Sequence, residues 1–208
     1  MALRITGGNL GGRLIKVPPR AVRPTQDRVR AAVFSMLAAA LPGARVLDLF
    51  AGSGALGLEA FSRGATSVVW VERQYRVWQV LCDNVRALNG GRTPATRLAQ
   101  AGAADACVCL HDDVLRFLRR VALLPVRPRF TLVLADPPYD CAGVLAKKIL
   151  SALLHADILA SNAFVALEHA GDFAAANDAA WQLWRTRKYG ATCVSVLRRM
   201  PAGEEADA

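Results

Sequence analysis

Long apolar runs are missing from this chain. No stretch approaches the roughly 18 consecutive apolar residues of a membrane span. The N-terminus also lacks the apolar segment of a signal peptide, which sets the expectation of a soluble, cytoplasmic protein. Metal-ligand spacing is absent as well. The five cysteines (Cys82, Cys107, Cys109, Cys141 and Cys193) form no C-x-x-C pair. They read as reduced core residues, Cys107 and Cys109 sharing one face of a strand, and no metal is expected. The three histidines (His111, His155 and His169) form no catalytic pattern and read as structural or surface residues. No internal repeat is visible.

Acid is nearly missing from both flanks. Residues 1–42 carry seven Lys/Arg and one acid, and residues 185–200 carry five basic residues and no acid. The middle of the chain is close to neutral, with 14 basic and 13 acidic residues over 43–184. A neutral body with basic ends points to a polyanionic partner, and a nucleic acid fits it best.

What is present is organised by Val46 to Gly57. This stretch begins as a buried strand, Arg45 to Leu49, and turns into a helix on Gly52, Gly54 and Gly57, spaced G-x-G-x-x-G. Such a turn brings backbone amides close to a ligand at a helix N-terminus. Twenty residues after Gly52, Ser67 to Glu72 reads as a second strand ending in an acid that can hold both hydroxyls of a ribose. The pair indicates an adenosine-containing cofactor without naming it.

Strand and helix alternate from there. Helices are expected at Ala55–Arg63, Tyr75–Leu88, Val114–Val121 and Val144–His155, and strands at Ala106–Leu110, Phe130–Ala135 and Phe164–Glu168. Residues 90–105 read as an irregular surface insertion. Trp181–Lys188 and Thr192–Arg199 read as an antiparallel hairpin closing on Tyr189-Gly190. Ahead of the organising strand, Leu3–Thr6 and Arg13–Val17 form a β-hairpin. A helix then runs from a Thr25 cap to about Ala40, with Val29, Val33, Met36, Leu37 and Ala40 as its apolar stripe and Arg28 and Arg30 off it. The expected fold is α/β: a doubly wound, mostly parallel sheet with an antiparallel C-terminal hairpin and a small N-terminal β-hairpin appendage. The chain divides into a basic extension over 1–24, a main domain over 25–200 and a disordered tail over 201–208. Asp48, Glu72, Asp112 or Asp113, and Asp136 fall at the carboxyl ends of four successive strands, where such sheets bind ligands.

Asp136-Pro137-Pro138-Tyr139 directly follows a buried strand. The prolines hold the backbone extended. The Asp136 carboxylate and the Asp136–Pro137 carbonyl can then accept both hydrogens of an exocyclic amine and localise its lone pair for attack. Tyr139 offers a flat face for a base. On the residues alone three readings stay open. A nicotinamide-dependent oxidoreductase shares the glycine loop and Glu72, but no hydride-transfer set accompanies them. An adenine-N6 methyltransferase shares the tetrapeptide, but no large target-recognition domain is present. A binding module with a retired site is disfavoured by the intact motifs.

In these two motifs the chain resembles the class I, S-adenosylmethionine-dependent amino-methyltransferases. More closely it is similar to the bacterial 16S rRNA guanine-N2 methyltransferase D family. The segments that carry this are Arg4-Ile5-Thr6-Gly7-Gly8, Gly12-Arg13, Arg23-Pro24-Thr25 with Asp27-Arg28-Val29, Asp48 through Ala60, Ser62 through Ala65, the D-P-P-Y, and Lys188-Tyr189-Gly190. The resemblance implies methyl transfer from S-adenosylmethionine to the 2-amino group of one guanine, leaving S-adenosylhomocysteine. Asp48, Phe50, Gly52, Ser53 and Gly54 would face the methionine part. Glu72 would hold the ribose, and Asp113 or its rival Asp112 the adenine amine. Asp136, Pro137 and Tyr139 would form the catalytic set. Arg4, Arg13, Lys16, Arg20, Arg23 and Arg28 would contact RNA. The implied partner is 16S rRNA already assembled in the small ribosomal subunit, met by a monomer. Guanine rather than adenine rests on the resemblance.

Overall fold

The computed structural model describes residues 2–18, 27–98, 107–138, 142–170, 179–190 and 192–200. The alternation of strand and helix after Arg45 builds one seven-stranded sheet. Its strands are β3 (Arg45–Leu49), β4 (Ser67–Glu72), β5 (Cys107–His111), β6 (Phe130–Ala135), β7 (Leu159–Ala170), β8 (Trp181–Tyr189) and β9 (Thr192–Arg199). Their order across the sheet is β5-β4-β3-β6-β7-β9-β8. The first five are parallel, whereas β9 pairs antiparallel with both β7 and β8. Short parallel strands buried on both faces need runs of apolar residues, and β4 and β6 have them at Val68–Val71 and Leu132–Ala135. The Rossmann-like, mostly parallel sheet with a closing hairpin agrees with the expected fold class.

Helices cover both faces. On one lie α1 (Asp27–Met36), α2 (Ala55–Ser62) and α3 (Tyr75–Leu88), sharing a core with Val46, Val68, Trp70 and Leu132. On the other lie α4 (Val114–Val121) and α5 (Ala142–Ala156), packed on Leu47, Val71, Val133 and Leu167. Cys107 and Cys109 face the first core together.

The N-terminal hairpin, β1 (Ala2–Arg4) with β2 (Leu14–Lys16), joins the first core through the fully buried Ile5 and Ile15. Its turn docks on the end of α2. Asn9 N donates to Ser62 O at 2.7 Å, and Ser62 Oγ donates to Gly7 O at 2.6 Å. Gly8 has φ +77°, and a Cβ there would lie 1.9 Å from Ser62 O, so only glycine fits.

Three expectations change. Arg30, read as lying off the apolar stripe of α1, is fully buried. It lies 3.5 Å from Glu59 Oε2 and donates to Arg4 O. Glu59, itself buried on α2, also accepts from Thr6 N at 2.8 Å and Arg63 Nε at 2.8 Å. A buried charge needs such partners, and these tie the hairpin, α1 and α2 together. Second, the 90–105 stretch is not wholly irregular. Ala95 N donates to Cys107 O at 3.1 Å and Cys109 N to Ala95 O at 2.8 Å, extending the sheet past β5 by one bridge. Third, β7 begins at Leu159, five residues before the expected Phe164, because a register shift lets it pair with Phe130 at its start. The Thr25 cap and the 201–208 tail lie outside the described residues.

Candidate active site

Register places the candidate acids together at the carboxyl ends of the strands. Glu72 closes β4, Asp112 and Asp113 follow β5, and Asp136 follows β6. Asp48 sits one residue inside the end of β3, paired across to Trp70 and Leu134. The chain reverses its winding between β3 and β6. Asp48 and Asp136 therefore flank the crevice that opens at such a switch point.

After Leu49 the backbone turns sharply. Phe50 has φ +61°, a costly conformation for an aromatic residue and one that gathers at ligand sites. Ala51 N then donates to Val71 O at 3.0 Å, which holds the loop against β4. Gly57 packs so closely on the fully buried Trp70 that a Cβ would meet its Nε1 at 2.1 Å.

Two carboxylates shape the loop from within. Asp48 Oδ2 accepts from Gly57 N at 2.8 Å, occupying the amide end of α2. Glu72 accepts from Gly52 N at 3.0 Å through Oε2 and from Gln74 N at 2.7 Å through Oε1. Burial pushes the Asp48 carboxyl up to about 8. The Gly57 amide opposes this, and the negative charges of Asp136 and Glu72 add to it. Asp48 Oδ1 is buried without a hydrogen-bond partner among the described residues. The crevice thus holds a buried carboxyl with one unsatisfied oxygen under the negative charges of Asp136 and Glu72, an environment suited to a cation.

At the end of β5 the neighbouring acids differ. Asp112 is buried, and its oxygens accept from Asp113 N at 2.8 Å, from Arg116 Nε, and from Arg120 Nη1 at 2.6 Å. Asp113 caps α4, its Oδ1 accepting from Leu115 N and Arg116 N, both at 3.1 Å. Asp136 is half-buried, Pro137 buried and Pro138 exposed. Tyr139 lies outside the described residues.

Of the basic residues assigned to RNA, Arg4, Arg13 and Lys16 are exposed on the hairpin. Arg4 also donates to Gly12 O at 2.6 Å. Arg20, Arg23 and the Arg28 side chain fall outside the described residues. One organising residue escaped the sequence reading. Asn84, buried on α3, accepts from Lys16 N at 3.0 Å and donates to Lys16 O and Ser53 O, each at 2.9 Å. It connects the hairpin to the glycine loop. Its signal was a lone amide on the inward side of α3, between Leu81 and Val85.

With this geometry the chain matches the family model "Conserved hypothetical protein 95" over residues 3–198. It is 30% identical over 189 residues to the Haemophilus influenzae (strain ATCC 51907 / DSM 11121 / KW20 / Rd) "Ribosomal RNA small subunit methyltransferase D", covering 90% of this chain and 89% of that one. It is 31% identical over 200 residues to the Bacillus subtilis (strain 168) protein YlbH, covering 95% and 99%. The chain belongs to the ribosomal RNA small subunit methyltransferase D family. The solved structure of Escherichia coli yhhF superposes with a TM-score of 0.76 at 30% identity, covering 96% of this chain and 99% of that one. Membership makes this a class I methyltransferase, and its strand-end acids lie in the crevice of a methyltransferase fold.

Proposed function

We propose that the protein transfers a methyl group from S-adenosylmethionine to the 2-amino group of a guanine in 16S rRNA. The observation that carries this reading is the buried Asp48 carboxyl, with an unsatisfied oxygen, beside Asp136 and Glu72. S-adenosylmethionine is the cationic member of the adenosine cofactors. A dinucleotide would instead bring a pyrophosphate to the N-terminus of α2, where Asp48 already holds the Gly57 amide. That amide is then taken, and the negative charges of Asp136 and Glu72 nearby repel a pyrophosphate, which disfavours the nicotinamide alternative.

The proposed roles follow the geometry. Asp48 and the loop through Phe50, Gly52, Ser53 and Gly54 receive the methionine part. Glu72 uses two of its roughly four acceptor positions on backbone amides, which leaves the others for ribose hydroxyls. Asp112 has both oxygens engaged by arginines, which favours Asp113 as acceptor for the adenine amine. When bound, the cofactor supplies an activated methyl on a sulfonium.

The Asp136 carboxylate and the Asp136–Pro137 carbonyl hold the target amine by its two hydrogens, with its lone pair aimed at that methyl. Tyr139 stacks on the base. Positioning is the main contribution of these residues. After transfer the nitrogen is cationic and acidic, so its proton leaves to Asp136 or water without a strong base. Arg4, Arg13, Lys16, Arg20, Arg23 and Arg28 serve as phosphate contacts. The basic hairpin fits a target presented by the assembled subunit to a monomer. Calorimetric titration tests the donor. Binding of S-adenosylmethionine and S-adenosylhomocysteine, with none of NADH, agrees with the proposal, and the opposite order contradicts it.

A further inference from the structure

Strand β8 ends the sheet, and its outer edge faces solvent. Seven consecutive residues, Gln182 to Lys188, are exposed. Natural edge strands of this kind usually shield themselves. Here the edge carries Trp184, 39% exposed, with the Arg185 guanidinium lying over its ring at 4.4 Å from the centroid. A register shift between Leu183 and Arg185 leaves Trp184 as the extra residue of a bulge, which turns its ring towards Phe164 at 5.1 Å. Directly opposed residues share a sheet face. Arg185 pairs with Val196 and Arg187 with Val194, and both valines belong to the core under α1. The aromatic–arginine pair and Arg187 therefore stand on the same face as α1, α2 and the N-terminal hairpin.

The strand also runs towards the active site. Thr186 pairs with Ser195, Ser195 with Leu167, and Leu167 with Ala135. One step further, Arg187 is level with Val194 and Glu168, and Asp136 follows Ala135. Three strand spacings, about 14 Å, separate Arg187 from Asp136 along that row. Adjacent phosphates in a single strand are spaced closely enough for two nucleotides to cover this span. No acid occurs between Trp181 and Met200.

We propose that the outer face of β8 is a second RNA-docking surface, which holds an unpaired stretch flanking the target nucleotide. This rests on the rRNA substrate proposed above. A base stacks on the Arg185 guanidinium, which Trp184 keeps flat, and Arg187 meets a phosphate on the way to Asp136. The surface suits single-stranded RNA because stacking on a guanidinium plane needs a base released from its duplex.

The test uses the full chain and small ribosomal subunits from cells lacking this methyl group. Sedimentation binding is measured between about 50 and about 200 mM salt with Arg185→Gln/Arg187→Gln, and with Lys147→Gln/Lys148→Gln on the exposed side of α5 as an equal loss of charge. The proposal expects the arginine pair to weaken binding about tenfold and to flatten the log–log salt slope by about 0.7 unit, the share of the one phosphate contact made by Arg187. Its KM should rise with kcat and S-adenosylmethionine affinity preserved, and the lysine pair should behave as wild type. Wild-type binding by the arginine variant overturns the docking surface, as does an equal loss in the lysine variant. Both results leave the methyltransferase reading intact. Wild-type protein that neither binds nor methylates the subunits overturns that reading, and the docking surface with it.

Discussion

Asn84 holds Lys16 by both of its backbone groups, accepting from its N–H at 3.0 Å and donating to its carbonyl at 2.9 Å. The same side-chain amide donates to Ser53 O in the glycine loop. One buried residue on α3 thus sets the end of the basic hairpin against the proposed cofactor site. Asn84→Ala leaves three backbone groups without these partners. A loss of about 2–3 kcal/mol is expected in urea unfolding, given about 1 kcal/mol per net hydrogen bond. Cofactor affinity should fall as well, because Ser53 loses its anchor. Unchanged stability and affinity would show that the link carries no load.

Asp48 sets a pH dependence. In the unfolded chain its carboxyl titrates near the ordinary 3.8, whereas in the fold it holds its proton up to about 8. Between these values the folded state binds more protons, so stability falls as pH rises from about 4 to about 8 and levels off above that. The effect is on the order of a few kcal/mol. Asp48→Asn keeps an acceptor for the Gly57 amide and removes the charge. Its stability should lose most of this slope across the same window, measured by denaturant unfolding at several pH values. A pH profile identical to wild type would place the titration elsewhere. A bound cation should also strip the proton from Asp48. Cofactor binding near pH 7 is therefore expected to release protons, detectable by calorimetry in buffers of different ionisation enthalpy.

Much of the site was legible in the sequence because its acids end apolar strands. A continuous run such as Phe130 to Ala135 fixes where a buried strand stops, and Asp136 follows. The spans expected for α3 and α4 from apolar spacing agree with those observed. Long-range polar pairing was not legible. Arg30 lies off the apolar stripe of α1 by periodicity, yet its partner Glu59 sits on α2 and the two bury each other. Ala95 gave no strand signal because a single bridge has no period. Asn84 showed only as an amide among apolar neighbours, since its partners are backbone groups 68 and 31 residues away. The pairing of Asp112 with arginines one and two turns along α4 was likewise not legible.

Asp136 and the cofactor residues should separate in function. Asp136→Ala is expected to lower methyl transfer by at least about a hundredfold, the scale of a lost positioning or proton-transfer contact, while S-adenosylmethionine affinity stays within a few fold. Glu72→Ala should weaken cofactor binding by about 1.5–3 kcal/mol, as for a hydrogen bond to a charged group. Calorimetry and single-turnover kinetics on the same preparations measure both. Equal loss of cofactor binding in Asp136→Ala would remove the distinction between the two carboxylates.

The central claim is the identity of the methylated atom. Small ribosomal subunits from cells lacking the modification are incubated with the protein and S-adenosylmethionine labelled in its methyl group, and the 16S rRNA is digested to nucleosides and separated by mass and retention. The account predicts one labelled product, N2-methylguanosine, at close to one per subunit and absent with Asp136→Ala. Label in N6-methyladenosine, or in any other nucleoside, would contradict it.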